Sequence, residues 1–332
     1  MARVVVFVAL FGVLTAGPVV AQGVSVTADV VYGHKYGMAL TFDVFTPANA
    51  HGAAVLNMVS GGWRSSWRPH DVSQRRYQPL LDAGFTVFAI RHGSSPKFVL
   101  PEIVPDVRRA VRYVKRNARR LGVDPNRLGV WGGSAGGHLS LMLGLASDEG
   151  DPSSEDAVLR VGNRVAAVVA YYPPVDLRPL ARGSDPANGN TRFPALNFDP
   201  SEASSVSPII HVSSDDPPTL LIHGDADGLV PVSNSHEMYA ALQEHGVKSK
   251  VIIIPDADHG FVGADAELAM GSLVDWFVEH LGVRTSNCPV TTGTLARPLG
   301  SARIDFCGSI SEIPRPSVTA GLCRGVAAGG QE

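Results

Sequence analysis

The sequence predicts an α/β architecture: a mostly parallel sheet with helices on both faces. Three observations carry this. Short, unbroken apolar runs recur along the chain, the pattern of strands buried on both sides. Segments of helical periodicity separate them, so that strands and helices alternate from residue 24 to about 282. The composition, 332 residues with 45% hydrophobic and 18% charged, suffices for one large core.

The elements follow in order. VSVTADVVYG (24–33) and ALTFDVFTP (39–47) read as two strands that open the sheet, and AAVLNMVS (53–60) and FTVFAIRH (85–92) as buried strands. VPDVRRAVRYVKRNARRLG (104–122) is expected as a helix, because Val107, Val111, Val114, Ala118 and Leu121 recur at spacings of four and three. Its basic residues lie off that stripe and are expected to form a solvated outer face. RLGVWGG (127–133) is a strand and AGGHLSLMLGLA (135–146) a helix. VAAVVAYY (165–172), PTLLIHG (218–224) and SKVIIIP (249–255) are the later strands. NSHEMYAALQEHG (234–246), stopped by Gly246, and ADAELAMGSLVDWFVEHLG (264–282) are the later helices. Residues 176–205, rich in Pro, Gly, Asn and Ser, are expected to be a loop serving as cap or rim.

The two ends differ from this core, which spans 22–282. Arg3, the apolar run VVVFVALFGVL and then TAGPVVA lead to Val19 and Ala21, small residues at −3 and −1 before Gln22. Residues 1–21 therefore read as a secretory signal peptide, and the protein is expected in the periplasm or outside the cell, with no membrane attachment after cleavage. A membrane anchor fits less well, since the run ends in Gly17 and Pro18. Residues 283–332 carry Cys288, Cys307 and Cys323 and little periodicity. They read as a low-order extension, or alternatively as a small disulfide-pinned appendix; three cysteines leave at least one thiol over, and the pairing stays open. A net charge of −3 gives no reason to expect nucleic acid as a partner. Oligomeric state is not legible.

The chemistry gathers around LGVWGGSAGGHLSL (128–141). Gly132-Gly133-Ser134-Ala135-Gly136 matches G-x-S-x-G at the point where a strand hands over to a helix, the setting of a nucleophile elbow. The bland alternative is a glycine-rich βα turn with a capping serine. A serine hydroxyl needs a base and an orienting acid. Two loops leaving later strands offer them: Asp225-Ala226-Asp227 after 218–224, and Asp256-Ala257-Asp258-His259 after 249–255. His259 is the candidate base. Asp227 is favoured as the acid, with Asp225 bracing the turn. The loop Val59-Ser60-Gly61-Gly62-Trp63 follows a buried strand and is the candidate oxyanion loop, with the N–H groups of Gly61, Gly62 and Ala135 as donors. Trp63 and Phe261 are candidate substrate contacts, with Tyr171, Tyr172 and Phe193 near them. Packing beneath the loop is as good a role for Trp63, and core packing a better one for Tyr171 and Phe261. The DAD stretches lack calcium-loop spacing, so no metal is expected.

In this order, VSGGW (59–63), RRLGVDPNRLGVWGGSAGGHLS (119–140), HGDADGLVP (223–231) and DADHGF (256–261) resemble the α/β-hydrolases of esterase/lipase type, near the feruloyl-esterase-like and acetyl-esterase-like branch. The resemblance spans roughly residues 25–282. It implies Ser134 as nucleophile, Asp227 as acid, His259 as base, no cofactor, and a small-molecule or saccharide-linked ester as substrate. One departure stands out: Val59 and Ser60 occupy the places where such enzymes carry His and a first Gly, and that His normally braces the loop. A prolyl-oligopeptidase-like peptidase is the alternative enzyme, though too few residues precede the core for its usual propeller. A catalytically inactive binding protein on the same fold is the alternative outside enzymes.

Overall fold

A computed structural model describes residues 23–183 and 189–282. The expectations for 1–21 and for 283–332 with its cysteines lie outside the described residues.

Eight strands form one sheet in the order β1-β2-β4-β3-β5-β6-β7-β8. They are β1 (Val24–Lys35), β2 (Met38–Pro47), β3 (Ala54–Met58), β4 (Thr86–Ile90), β5 (Leu128–Gly133), β6 (Ala167–Tyr171), β7 (Thr219–Gly224) and β8 (Ser249–Ile254). β2 is antiparallel to both β1 and β4; every other pairing is parallel. The helices are α1 (His70–Asp82), α2 (Leu100–Arg116), α3 (Ala118–Leu121), α4 (Ala135–Leu145), α5 (Ser233–Glu244) and α6 (Gly263–His280). This is the α/β-hydrolase fold.

Side-chain alternation divides the core into two layers. Ala54, Leu56 and Met58 of β3, Leu128 and Val130 of β5, and Val168 and Ala170 of β6 face the layer packed by α2, α4 and α5. Val55, Trp131, Val169 and Tyr171 face the layer packed by α1 and α6, where Leu80, Leu273 and Phe277 are wholly buried. Each such side chain contributes about 1.5–3 kcal/mol by leaving water, so both layers hold the sheet flat against its helices.

Three local expectations need correction. α1 has no counterpart in the sequence reading. Its buried residues, Ser73, Tyr77, Leu80 and Leu81, keep helical spacing, but polar residues and Pro79 interrupt the apolar signal. α2 begins at Leu100, four residues early, because Pro101 suits the first turn and Glu102 accepts a hydrogen bond from the Val99 N–H at 3.0 Å. The basic residues of α2 are not all solvated. Arg112 is buried and pairs with Asp148, Arg109 pairs with Asp156, and Arg108 and Lys115 donate to the Ala146 and Arg164 carbonyls. Together they tie the 146–164 loop to the helix. Within 176–205, the described residues include two 3-10 turns, Pro194–Leu196 and Pro200–Val206.

The parallel strands β3, β5, β6, β7 and β8 all end at one edge of the sheet. The loops carrying Gly62, Ser134, Tyr172, Asp227 and His259 leave that edge, the usual place for a site in such a sheet.

Candidate active site

Ser134 sits between β5 and α4 with φ 55° and ψ −121°, a conformation that a non-glycine residue adopts only under strain. The glycines explain how the turn closes. A Cβ on Gly132 would lie 2.4 Å from the Gly136 backbone, and one on Gly136 would lie 2.6 Å from the Met58 carbonyl oxygen. Strand and helix thus touch backbone to backbone, and the serine is lifted between them. The Ser134 N–H donates to the Tyr171 carbonyl at 2.9 Å, and the His138 N–H to the Ser134 carbonyl at 2.9 Å, which hold the elbow on both sides.

Three side chains from three loops form one hydrogen-bonded line. Ser134 Oγ donates to His259 Nε2 at 2.9 Å, and His259 Nδ1 donates to Asp227 Oδ2 at 2.7 Å. The Asp227 side chain is fully buried, and its other oxygen accepts the N–H groups of Leu229 and Val230, both at 2.8 Å. Its carboxylate is therefore saturated and cannot swing away from the imidazole. His223 adds a further contact: Nε2 lies 3.2 Å from Asp227 Oδ2 while donating to the Val230 carbonyl at 2.9 Å, and Nδ1 accepts from Ser235 Oγ at 2.7 Å. Burial lowers the His223 pKa from its ordinary value, against the opposing pull of the Val230 carbonyl and Asp227. Asp225 stands apart, accepting the Asp256 N–H at 2.7 Å and joining the β7 and β8 loops. Asp258 joins them again through the Gly228 N–H.

The loop after β3 departs from expectation at one residue. The Gly61 N–H donates to the Arg64 carbonyl at 3.0 Å, and the Arg64 N–H returns the bond to Gly61, closing a tight turn. Gly61 is thus removed as an oxyanion donor. The N–H groups of Gly62, at φ +55°, and of Ala135, the first residue of α4, have no acceptor among the described residues. Both residues border the same recess beside Ser134.

A histidine absent from the sequence reading braces this loop. His92, buried behind β4, donates from Nδ1 to the Gly93 carbonyl at 2.7 Å, which leaves Nε2 to accept from Ser60 Oγ at 2.9 Å. Burial, opposed by the Gly93 bond, pushes its pKa down to about 4, so the ring is neutral and keeps this tautomer. Ser65 Oγ donates to the Val59 carbonyl, and the Ser95 N–H to the Trp63 carbonyl. A serine and a remote histidine thus fasten the loop where its own His is replaced by Val59. The signal available in sequence was only an FAIRHG stretch ending a buried strand.

The two candidate substrate contacts fare differently. Trp63 is 4% exposed; its Nε1 donates to His138 Nδ1 at 3.3 Å, and its ring edge-packs on Phe193, so it forms the floor of a recess while supporting the loop. His138 completes that support by donating Nε2 to the Val206 carbonyl at 2.8 Å, and burial pushes its pKa down to about 4. Phe261 does not line either cavity. It packs against Tyr172, whose ring lies 4.5 Å from the His259 ring, so it backs the wall instead. Tyr172 and Phe193 do line the cavity, and Tyr171 is core.

Two spaces meet at Ser134. A cleft of about 570 Å³ holds His259, Tyr172 and a set of arginines. A recess of about 290 Å³ is walled by Trp63, Pro174, Leu180, Phe193 and Leu196. Among the described residues, no three His, Cys, Asp or Glu side chains are grouped so as to hold a metal ion.

The BD-FAE family model matches residues 42–242, more than half of the chain. The chain belongs to the BD-FAE family. Its α/β-hydrolase fold is of the esterase type. Relatives include the probable carboxylic ester hydrolase LipM of Mycobacterium tuberculosis, 28% identical over 70% of this chain and 56% of its own, and an acetylxylan esterase of Xylanibacter ruminicola, 27% identical over 65% of this chain and 42% of its own. This BD-FAE member therefore spans about half the length of the curated relatives it matches. Among solved structures, a truncated carbohydrate esterase from gut microbiota aligns at TM-score 0.65 and 28% identity, over 80% of this chain and all of its own.

Proposed function

We propose that this protein is a carboxylic-ester hydrolase working through Ser134, His259 and Asp227 and a covalent acyl-enzyme. One observation carries the reading: the continuous line of hydrogen bonds from Ser134 Oγ through the imidazole to a saturated, buried Asp227. Ser134 Oγ attacks the ester carbonyl carbon while His259 Nε2 takes its proton; Asp227 holds the tautomer and balances the imidazolium. The carbonyl oxygen becomes an oxyanion facing the Gly62 and Ala135 N–H groups at the N-terminus of α4. His259 protonates the departing alcohol as the acyl-enzyme forms; it then takes a proton from water whose oxygen attacks the acyl carbon, and returns that proton to Ser134 Oγ as the Oγ–acyl bond breaks and the acid leaves. Short acyl chains fit the 290 Å³ recess. The carbohydrate and acetylxylan esterases among its relatives support acetyl esters on saccharide. The described residues of the 176–205 segment serve as the rim, since Leu180, Asn190, Arg192, Phe193 and Leu196 border the recess. Export rests on the character of residues 1–21 alone.

Hydrolysis of nitrophenyl esters from acetate to octanoate, beside aminoacyl nitroanilides, tests this. Turnover of short esters should vanish in Ser134→Ala and no anilide should be cleaved. Anilide cleavage without ester cleavage would move the assignment to a peptidase, and inertness of the folded protein to both would make it a binding protein.

A further inference from the structure

The cleft beside His259 carries an unusual charge. Arg64, Arg68, Arg76 and Arg91 all line it, and among the described residues its lining holds one acidic side chain, Asp43. Asp43 is already committed: Arg91 binds it through two guanidinium nitrogens at 2.6 and 3.0 Å. Burial would raise the Asp43 pKa, but the Arg91 bonds and charge, the Asp29 N–H and nearby His70 together hold the carboxyl low, so this pair stays closed. Arg64, Arg68 and Arg76 remain, and none of their guanidinium groups makes a hydrogen bond or ion pair among the described residues. Arg76 is nevertheless placed, with its guanidinium 5.2 Å from the centre of the Trp131 ring. Three cations lining one cleft with no partner among the described residues, in a protein whose net charge is −3, are not a reflection of composition.

Chemistry decides which half of the ester meets them. His259 must protonate the leaving alcohol, so the alcohol lies on the His259 side of Ser134. His259 lines the arginine cleft and is absent from the apolar recess. The recess takes the acyl group; its charged residue, Arg192, lies with its guanidinium 5.3 Å from the Phe193 ring centre. Arg76 also opposes the upward push of burial on the phenol of Tyr172, which packs on His259.

We propose, resting on the esterase reading above, that the alcohol half of the substrate bears a carboxylate, as in an O-acylated acidic sugar, and that Arg64, Arg68 and Arg76 bind that carboxylate while His259 releases the alcohol. A guanidinium matches a carboxylate in planar, two-point geometry. The cleft lies in the size range of sites that enclose a small organic ligand.

The test compares three chromogenic esters, each rate divided by its rate with hydroxide. 4-Nitrophenyl acetate is neutral, 3-carboxy-4-nitrophenyl acetate carries the anion on the leaving alcohol, and 4-nitrophenyl hemiglutarate carries it on the acyl side. The carboxylated leaving group should raise kcat/KM by about tenfold over the neutral acetate at low ionic strength, with the hemiglutarate gaining clearly less, because its recess holds Arg192 alone. That ratio should fall toward one at about 0.5 M salt and in the double variant Arg68→Gln/Arg76→Gln, whose two positions are exposed and whose folding is checked by circular dichroism. A wild-type ratio at or below one, an unchanged ratio in the folded double variant, or an equal gain with the hemiglutarate overturns the inference while leaving the esterase reading standing. Inertness of the folded wild type to all three esters overturns both.

Discussion

Lowering the pH from about 7 to about 5 should cost the fold about 4 kcal/mol through two buried histidines. His92 and His138 have ordinary values of 6.5 and are pushed down to about 4 by burial. In the folded state both rings stay neutral through this window, while in the unfolded chain both take up a proton below about 6.5. The unfolded state binds more protons, so stability is full above that value and declines as pH falls, until the folded rings titrate near 4. Each ring loses about 1.4 kcal/mol per pH unit over about 1.5 units, or about 2 kcal/mol. His51, His223 and His280, also lowered by burial, act in the same direction. Carboxylates held low by partners, such as Asp43 and Asp148, enter only nearer their unfolded value of about 3.9. Urea unfolding followed by tryptophan fluorescence at the two pH values measures the difference. His138→Gln, which cannot titrate, should reduce the pH-dependent loss by about 2 kcal/mol whatever its own stability at neutral pH. A loss under about 1 kcal/mol in the wild type, or an undiminished loss in His138→Gln, would refute the assignment of buried neutral rings.

The remaining predictions concern the site. Asp227→Asn leaves an amide where a carboxylate accepts from His259 Nδ1; kcat should fall by about four orders of magnitude with the melting temperature checked in parallel, and a loss under tenfold would deny Asp227 its role. Gly136→Ala sets a Cβ 2.6 Å from the Met58 carbonyl oxygen, so the elbow must shift: kcat/KM should drop by about 100-fold or more, and wild-type turnover would show that the contact yields. Ser60→Ala removes the donor to His92 Nε2 and leaves a buried acceptor unpaired, for about 1–3 kcal/mol of stability by denaturant titration; no change would mean that His92 does not brace the loop.

The segments whose burial is local were legible in sequence. β3, β5 and β6 are apolar because both faces of each are covered, and that burial writes an uninterrupted run. α1 was not legible, because its inward stripe of Ser73, Tyr77, Leu80 and Leu81 is narrow and partly polar. The α2 arginines looked solvated because their partners, Asp148 and Asp156, lie on a loop with no periodic signal of its own. Gly61 looked like a donor because a glycine pair marks a permissive backbone, whereas the direction of each N–H depends on the turn that Arg64 closes.

What the sequence determined by itself is the strand–helix alternation and the short list holding Ser134, Asp227 and His259, since turn chemistry and burial patterns are properties of neighbouring residues. The tertiary structure decided which groups meet. Asp227 rather than Asp225 reaches His259 across 32 positions, and Ser134 reaches it across 125. His92 replaces a missing brace, and three arginines from a loop and a helix line the cleft beside one serine. These are through-space coincidences set by strand order, and the spacing of residues along a chain does not encode the distance between loops that leave a common sheet edge.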